Sequence, residues 1–402
     1  MARANTTKDQ KGTKINIIQA LRINGPVARI ELARLTNLSR ATISIAISEL
    51  IEAGLVQETE SKYSTGGRPA TILELTSYSR IIVGADFSNN QWTLGAFDLL
   101  GNVIHKTIIP VPGNSPINTI HALMDHLNDF LKQIDTKPIG LLGLGMPGLV
   151  DIKRGVIKGA YDLGWYDIDI ANMIQEQFNW PTIVLNRHRA RGLAECRFGS
   201  GKEFAHLVYI GVGTGISAGI FNNRQLLFGA VGGAGDLGHL TIDPNGPLCP
   251  CGNYGCLQEL AAGPVMEQEF RMRLRSGRTS SIYTTPSYDL QHIKSENICE
   301  GADNGDELCM EVVEKVATNL GIAMANLINL LNPEAIILGG PIPVNCDYYV
   351  KIATKVMHQR AMSPLSANVV VRKGIINEMG GALGAANFAL DQNMEFSLFD
   401  SN

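Results

Sequence analysis

Apolar and polar positions alternate with two different periods along the chain, and the change of period comes near residue 80. In "INIIQALRINGP", Ile15, Ile18, Leu21 and Arg22 fall at helical spacing, and Gly25-Pro26 ends the run. "ARIELARLTN" predicts a second short helix. In "RATISIAISELIEAG", Ile43, Ile47, Leu50 and Ile51 form the stripe of a third helix, with Ser39 as its N-cap and Gly54 closing it. "LVQETE" and "ATILEL" then predict two strands joined by "SKYSTGGRP", whose paired glycines suit a tight turn. Residues 1–14 are polar and carry lysines, which predicts a mobile basic arm before this unit of 15–80.

Three helices followed by a hairpin is the order of a winged helix-turn-helix. In such a module the start of the third helix enters the major groove and phosphate contacts fix the register. Ser39, Arg40, Thr42 and Ser44 are the candidate DNA-facing residues, with Arg68 at the tip of the wing reaching the minor groove or a phosphate. Charge supports this placement. Residues 1–80 carry eleven Lys and Arg against seven Asp and Glu, whereas the remainder carries twenty-three against thirty-one. A small basic module on an acidic body suggests nucleic acid at one end, and the overall net charge of −4 argues against a polyanion binder throughout.

From Ile81 onward strands and helices alternate. "RIIVGADF" and "QWTLGAFDLLGNVIHKTIIPV" predict a strand and a hairpin, 115–134 an amphipathic helix, "IGLLGLGMPGLV" and "PTIVLN" further strands, and a helix runs through "ARGLAEC". The theme restarts at "HLVYIGVGTGISAGIFNNRQLLFG", continues through a long helix at 308–331, and returns to a strand in "AIILGGPI". The repetition predicts an α/β body of two related lobes with a cleft between them: 81–195, then 196–375, with a closing helix and tail at 376–402. Gly213-Thr214-Gly215 and Gly339-Gly340 are places where backbone N–H groups can approach an anionic or hydroxylated ligand.

"GHLTIDPNGPLCPCGNYGC" offers His239, Cys249, Cys251 and Cys256. Three thiolates and an imidazole suit a closed, structural, tetrahedral Zn²⁺ site, with Pro250, Gly252 and Gly255 turning the sulfurs together. One His239 nitrogen on the metal leaves the other for a ligand, so the ion would brace a binding loop. Three of the seven cysteines fall in 249–256, which fits metal binding in a reducing, cytoplasmic compartment better than a disulfide framework. No apolar run is long enough to span a bilayer, and the N-terminus is not signal-like.

"YIGVGTGISAGI", "GGAGDLGH", the cysteine run, "GCLQELAAG", "NPEAIILGG" and "GGALGAA" together resemble the ROK family (repressors, open reading frames and sugar kinases), over essentially all of 81–390. The N-terminal module with "STGGRP" resembles the repressor branch, which includes regulators of glucose and N-acetylglucosamine uptake. The resemblance implies an actin-like ATPase or sugar-kinase fold for the body, and zinc as its metal. It also implies a double-stranded operator, a sugar or sugar-derivative effector, a homodimer or homotetramer, and a sugar-transport protein as an alternative controlling partner.

Kinase members place an Asp beside Asn after the strand at 182–186, to take the proton of the sugar hydroxyl. This chain has Asn186-Arg187, and a guanidinium cannot accept a proton. The first phosphate loop reads "DFSNNQW", retaining Asp86 and losing the glycine pair. The family's Glu in Glu-x-Gly-His is Asp236, and its Glu two residues past the last cysteine is Gln258. Asn186, Arg187, Asp236, His239 and Gln258 are therefore the expected ligand-binding set of a body without a catalytic residue. Arg187 either receives a phosphorylated or acidic sugar or pairs with an acid such as Asp236 and fills an abandoned site. His188, Arg189 and Arg191 are expected on solvated or salt-bridged helix faces.

Overall fold

The computed structural model describes residues 2–60, 71–113, 115–283 and 290–397. Helix α1 runs from Ala2 to Asn24, so residues 2–14, expected as a mobile basic arm, continue in one helix into the winged module. No proline interrupts residues 2–24, and Ile17, Ile18 and Leu21 anchor the helix by their burial. Helix α2 (Arg29–Thr36) ends at Asn37 in the left-handed region, and α3 (Arg40–Glu52) follows. The buried stripe of α3 is Ile43, Ala46, Ile47 and Leu50; Ile51, expected in it, is exposed instead. Strands β1 (Val27–Ala28), β2 (Val56–Glu60) and β3 (Thr71–Leu75) form an antiparallel sheet in the order β1-β3-β2. Helix–helix–helix–hairpin order is thus present, while Arg68 and the wing tip lie outside the described residues.

The first lobe contains β4 (Ile81–Ser88), β5 (Gln91–Asp98), β6 (Val103–Pro110), β7 (Leu142–Met146) and β11 (Thr182–Asn186), ordered β11-β7-β4-β5-β6. A small antiparallel sheet of β8 (Leu149–Asp151), β9 (Val156–Ala160) and β10 (Trp165–Ile168) sits between β7 and β11 in the chain. Helices α4 (Pro116–Lys132) and α5 (Ile170–Phe178) cover it through apolar stripes such as Ile120, Leu123, Leu127 and Ile170, Ile174. The second lobe repeats the plan with β12 (Leu207–Val212), β13 (Ile216–Asn222), β14 (Gln225–Leu226), β15 (Ala335–Gly339) and β16 (Val370–Lys373), ordered β14-β13-β12-β15-β16. In both sheets the first three strands of the lobe pair antiparallel and the later two add in parallel. The repeat expected from the sequence is therefore a repeat of topology.

One helix departs from the expected lobe boundaries, and the expected closing helix packs on the first lobe. The C-terminal helix Gly380–Ser397 returns to the first lobe and lies on its sheet. Gly84 and Gly143 permit this, since a Cβ on either would meet the backbone of Ala382 or Ala385 at 2.1 Å. Helix α6 (Arg187–Phe198), expected within the first lobe, lies between the sheets. Its Gly192 packs on Tyr209 and Phe221 of the second lobe, and its Ala190 carbonyl faces Gly384 of the C-terminal helix. The apolar core of the winged module is continuous with the C-terminal helix: Ile17, Ile18 and Leu21 share one cluster with Leu383, Ala386, Leu390 and Met394.

Candidate functional site: an interlobe cleft beside a cysteine–histidine cluster

A cavity of about 270 Å³ opens between the lobes, lined among others by Tyr161, Asp162, Asn186, Arg187, Asp236, His239 and Gln258. All five residues expected to bind ligand therefore meet in one place. Asn186 also shapes the backbone around it. Its Oδ1 accepts from the backbone N–H groups of His188 (3.0 Å) and Arg189 (3.3 Å), capping α6, while its Nδ2 donates to the Gly148 carbonyl (2.9 Å).

The first turns of α6 carry three arginines, near the positive end of the helix dipole where cations are disfavoured. Acids from three parts of the chain offset this. Arg191 donates to Asp86 of β4 (2.6 Å), so that carboxylate is fully buried in an ion pair within the first lobe. Arg189, also fully buried, donates to Asp236 (2.7 Å) and to the Gly232 carbonyl, joining α6 to the second lobe. Arg187 donates to the Thr214 hydroxyl (3.3 Å) and faces Asp162 across the cleft. Of the solvated or salt-bridged faces expected for His188, Arg189 and Arg191, the salt-bridged one is found for Arg189 and Arg191, while His188 and Arg189 are buried rather than solvated, because α6 is covered from both sides. Burial drives the His188 imidazole well below its ordinary value, reinforced by the three arginines, so it is neutral against Gly211. The pairing of Asp236 with Arg187 is corrected too, since Arg189 holds that acid.

Asp162 was not anticipated from the sequence. It lies in the short helical turn Tyr161–Leu163 between β9 and β10. Burial raises its carboxyl above the ordinary range, with Arg187 and His239 pulling the other way. The signal present in the sequence was a lone acid in "GAYDLGW" after a glycine-rich strand end. Gly339-Gly340, expected as an anion approach, serve packing here: a Cβ on Gly339 would lie 2.3 Å from the Tyr209 hydroxyl, and Gly340 has φ +88°.

His239, Cys249, Cys251 and Cys256 converge with their ligand atoms all within 4.8 Å of one another. Cys251 Sγ lies 3.7 Å from Cys256 Sγ, and Cys249 Sγ lies 3.6 Å from His239 Nδ1. Tetrahedral Zn²⁺ with bonds of about 2.3 Å to sulfur requires sulfurs about 3.8 Å apart, so the donor set fits that ion. Nδ1 faces the sulfurs, which leaves Nε2 for the cleft. Gln258 joins the two regions: its amide reaches Cys249 Sγ (3.7 Å), and it lines the cleft beside Asp162.

In the DNA module, Ser39 Oγ accepts from the Thr42 N–H (3.1 Å) and lies 2.8 Å from the Thr42 hydroxyl, so these two residues cap α3. Arg40 and Ser44 are exposed. So is Ile45, at 61% of its surface, an apolar residue on the outer face of α3 that the periodicity did not single out.

A winged module fused to a duplicated α/β body with an interlobe cleft defines a kinase-like fold carrying a DNA-binding head. Residues 82–392 match the profile of the ROK family, and residues 11–57 match winged helix-turn-helix DNA-binding domains. The chain belongs to the ROK family. It is 27% identical over 386 residues to the xylose repressor of Caldicellulosiruptor bescii, covering 95% of this chain and 96% of that one. It is 29% identical over 368 residues to the DNA-binding transcriptional dual regulator NagC of Escherichia coli (strain K12), covering 91% and 88%. Among solved structures it resembles a ROK family transcriptional regulator, a homolog of the E. coli MLC protein, with TM-score 0.80, 26% identity and 97% of each chain covered. A ROK family glucokinase from Streptomyces griseus matches the body alone, with TM-score 0.69, 23% identity, and 77% of this chain against 99% of that one. No described helix is long and apolar enough to cross a membrane.

Proposed function

We propose that the protein is a ligand-responsive transcriptional repressor of carbohydrate uptake or metabolism genes, acting in the cytoplasm as a homodimer or homotetramer on a palindromic operator. The observation that carries this reading is the state of the kinase-like site. Arg187 stands where a sugar kinase needs a proton acceptor, and Arg191 neutralises Asp86 at the first phosphate loop. The cleft retains a binding function, with Asp236, His239 and Gln258 as sugar-hydroxyl partners and Arg187 directed at an acidic or phosphorylated substituent. Zn²⁺ held by His239, Cys249, Cys251 and Cys256 would fix the loop that presents His239 and Gln258. DNA contacts come from Arg40 and Ser44 on α3 and from the Ser39–Thr42 cap, with Arg68 a further contact expected from the sequence.

Footprinting on DNA flanking the protein's own gene tests the regulator reading; protection at moderate salt supports it, and nonspecific binding alone rejects it. A thermal-shift screen with sugars and sugar phosphates identifies the effector. Pull-down against sugar-transport components tests the alternative of a protein partner.

A sugar kinase with an appended DNA-binding head is the second reading, favoured by one observation: Asp162 places a carboxylate in the cleft that could act as base. ADP release over a panel of hexoses separates the two. No turnover is expected; turnover abolished by Asp162→Asn would establish the kinase.

A further inference from the structure

Helix α6 has one end in the cleft and the other at the DNA module. At its N-terminus Arg187, Arg189 and Asn186 line or brace the cavity. Ten residues on from Arg187, about 15 Å at 1.5 Å per residue, Arg197 on the last turn donates to Asp391 of the C-terminal helix. The other oxygen of Asp391 accepts from Arg22 of α1 at 2.5 Å, and Arg22 also donates to the Asn387 side chain (2.7 Å) and carbonyl (3.2 Å). One carboxylate thus joins the cleft helix, the C-terminal helix and the first helix of the DNA module.

Two features make this junction more than a surface ion pair. The first is rigidity. Helix α6 and the C-terminal helix approach so closely that a Cβ on Gly384 would lie 1.7 Å from the Ala190 carbonyl oxygen. Glu195 of α6 also accepts from the backbone N–H groups of Ser200 (2.9 Å) and Ile376 (2.8 Å), tying α6 to the segment leading into the C-terminal helix. The second is charge. Two guanidinium groups, with side chains 1% and 5% exposed, share a single carboxylate. Arg22 Nε, Arg197 Nε and Arg197 Nη1 are buried without a hydrogen-bond partner among the described residues. Burial brings Arg22 down to about 10 despite the attraction of Asp391. An incompletely satisfied buried ion network is costly, and a small shift of either helix changes its energy substantially.

We infer that Asp391 is a positioning residue for the DNA module, coupling the cleft end of α6 to the orientation of α1 through Arg197 and Arg22. The inference rests on the reading of the body as a ligand sensor. Coupling of this kind is a free energy shared between two sites, so a change at the cleft must be legible at α1.

Hydrogen–deuterium exchange on the zinc-loaded full chain tests it without DNA or effector, and so separately from footprinting. The perturbation is Arg187→Ala, at the opposite end of α6 from the triad. In the otherwise native chain this substitution is expected to change exchange of α1 amides at 15–24 by about fivefold or more. In an Asp391→Asn background α1 exchanges faster throughout, and Arg187→Ala adds no further change; Asp391→Glu restores the response. A purely structural Asp391 would raise α1 exchange yet leave the response to Arg187→Ala intact, which overturns the inference, as does absence of any α1 response in the native background. Arg22→Gln, which keeps the Asp391–Arg197 pair, supplies the same comparison if Asp391→Asn fails to fold.

Discussion

Arg189 illustrates how a single side chain can be legible as a type and illegible as a role. Its charge stands in the sequence, but its burial and its pairing with Asp236 depend on the second lobe closing over α6. Removing one member of a buried pair leaves the other charge uncompensated, so Arg189→Ala is expected to destabilise the body by about 3 kcal/mol in urea unfolding. Asp236→Asn leaves the fully buried Arg189 guanidinium without its counter-charge and should cost at least as much. Ile45 gives a prediction at the same scale. On the outer face of α3 its side chain is suited to a thymine methyl, which a hydroxyl or guanidinium does not recognise. Replacing thymine by uracil at the contacted step of a selected operator should weaken binding by the native chain several-fold, yet leave Ile45→Ala unaffected in a gel-shift titration. Equal losses for both proteins would exclude that contact.

At the level of elements, the stripe of α3, the caps and the strand–hairpin repeat were readable because periodicity and turn chemistry are local. Ile51 was misplaced by one position of a stripe whose fourth member is the small Ala46. The helix beginning at Ala2 was missed because a polar segment gives no apolar period to read. Gly384 falls in the closing helix expected at 376–402, and only the packed structure gives it a reason, the backbone of α6 against it. Gly384→Ala should destabilise the body by about 2 kcal/mol or more through overpacking, measured by thermal or urea unfolding. In a solvent-facing helix position the same change would stabilise slightly.

For the whole molecule, the cysteine–histidine loop and the two lobes define one site, since His239 belongs to both the cluster and the cleft. Metal analysis is expected to find about one zinc per chain. Cys251→Ser or chelation should lower that content, reduce thermal stability and weaken ligand binding together. A metal-free variant of unchanged stability and affinity would remove the structural role.

The sequence by itself determined the order of elements, the winged module, the duplicated body, the four metal-type side chains and the presence of an arginine at 187, a side chain that cannot accept a proton. Each follows from spacing, turn residues or a single side-chain chemistry, all local properties. Only the tertiary structure decided which acid each arginine meets, that Asp162 joins the cleft, and that the C-terminal helix binds the DNA module to the body. Arg189 and Asp236 are 47 residues apart, Arg191 and Asp86 105, and Arg22 and Asp391 369. Such pairs form because packing of the lobes and helices buries the charges and fixes which partners each one can reach, a condition no local pattern encodes.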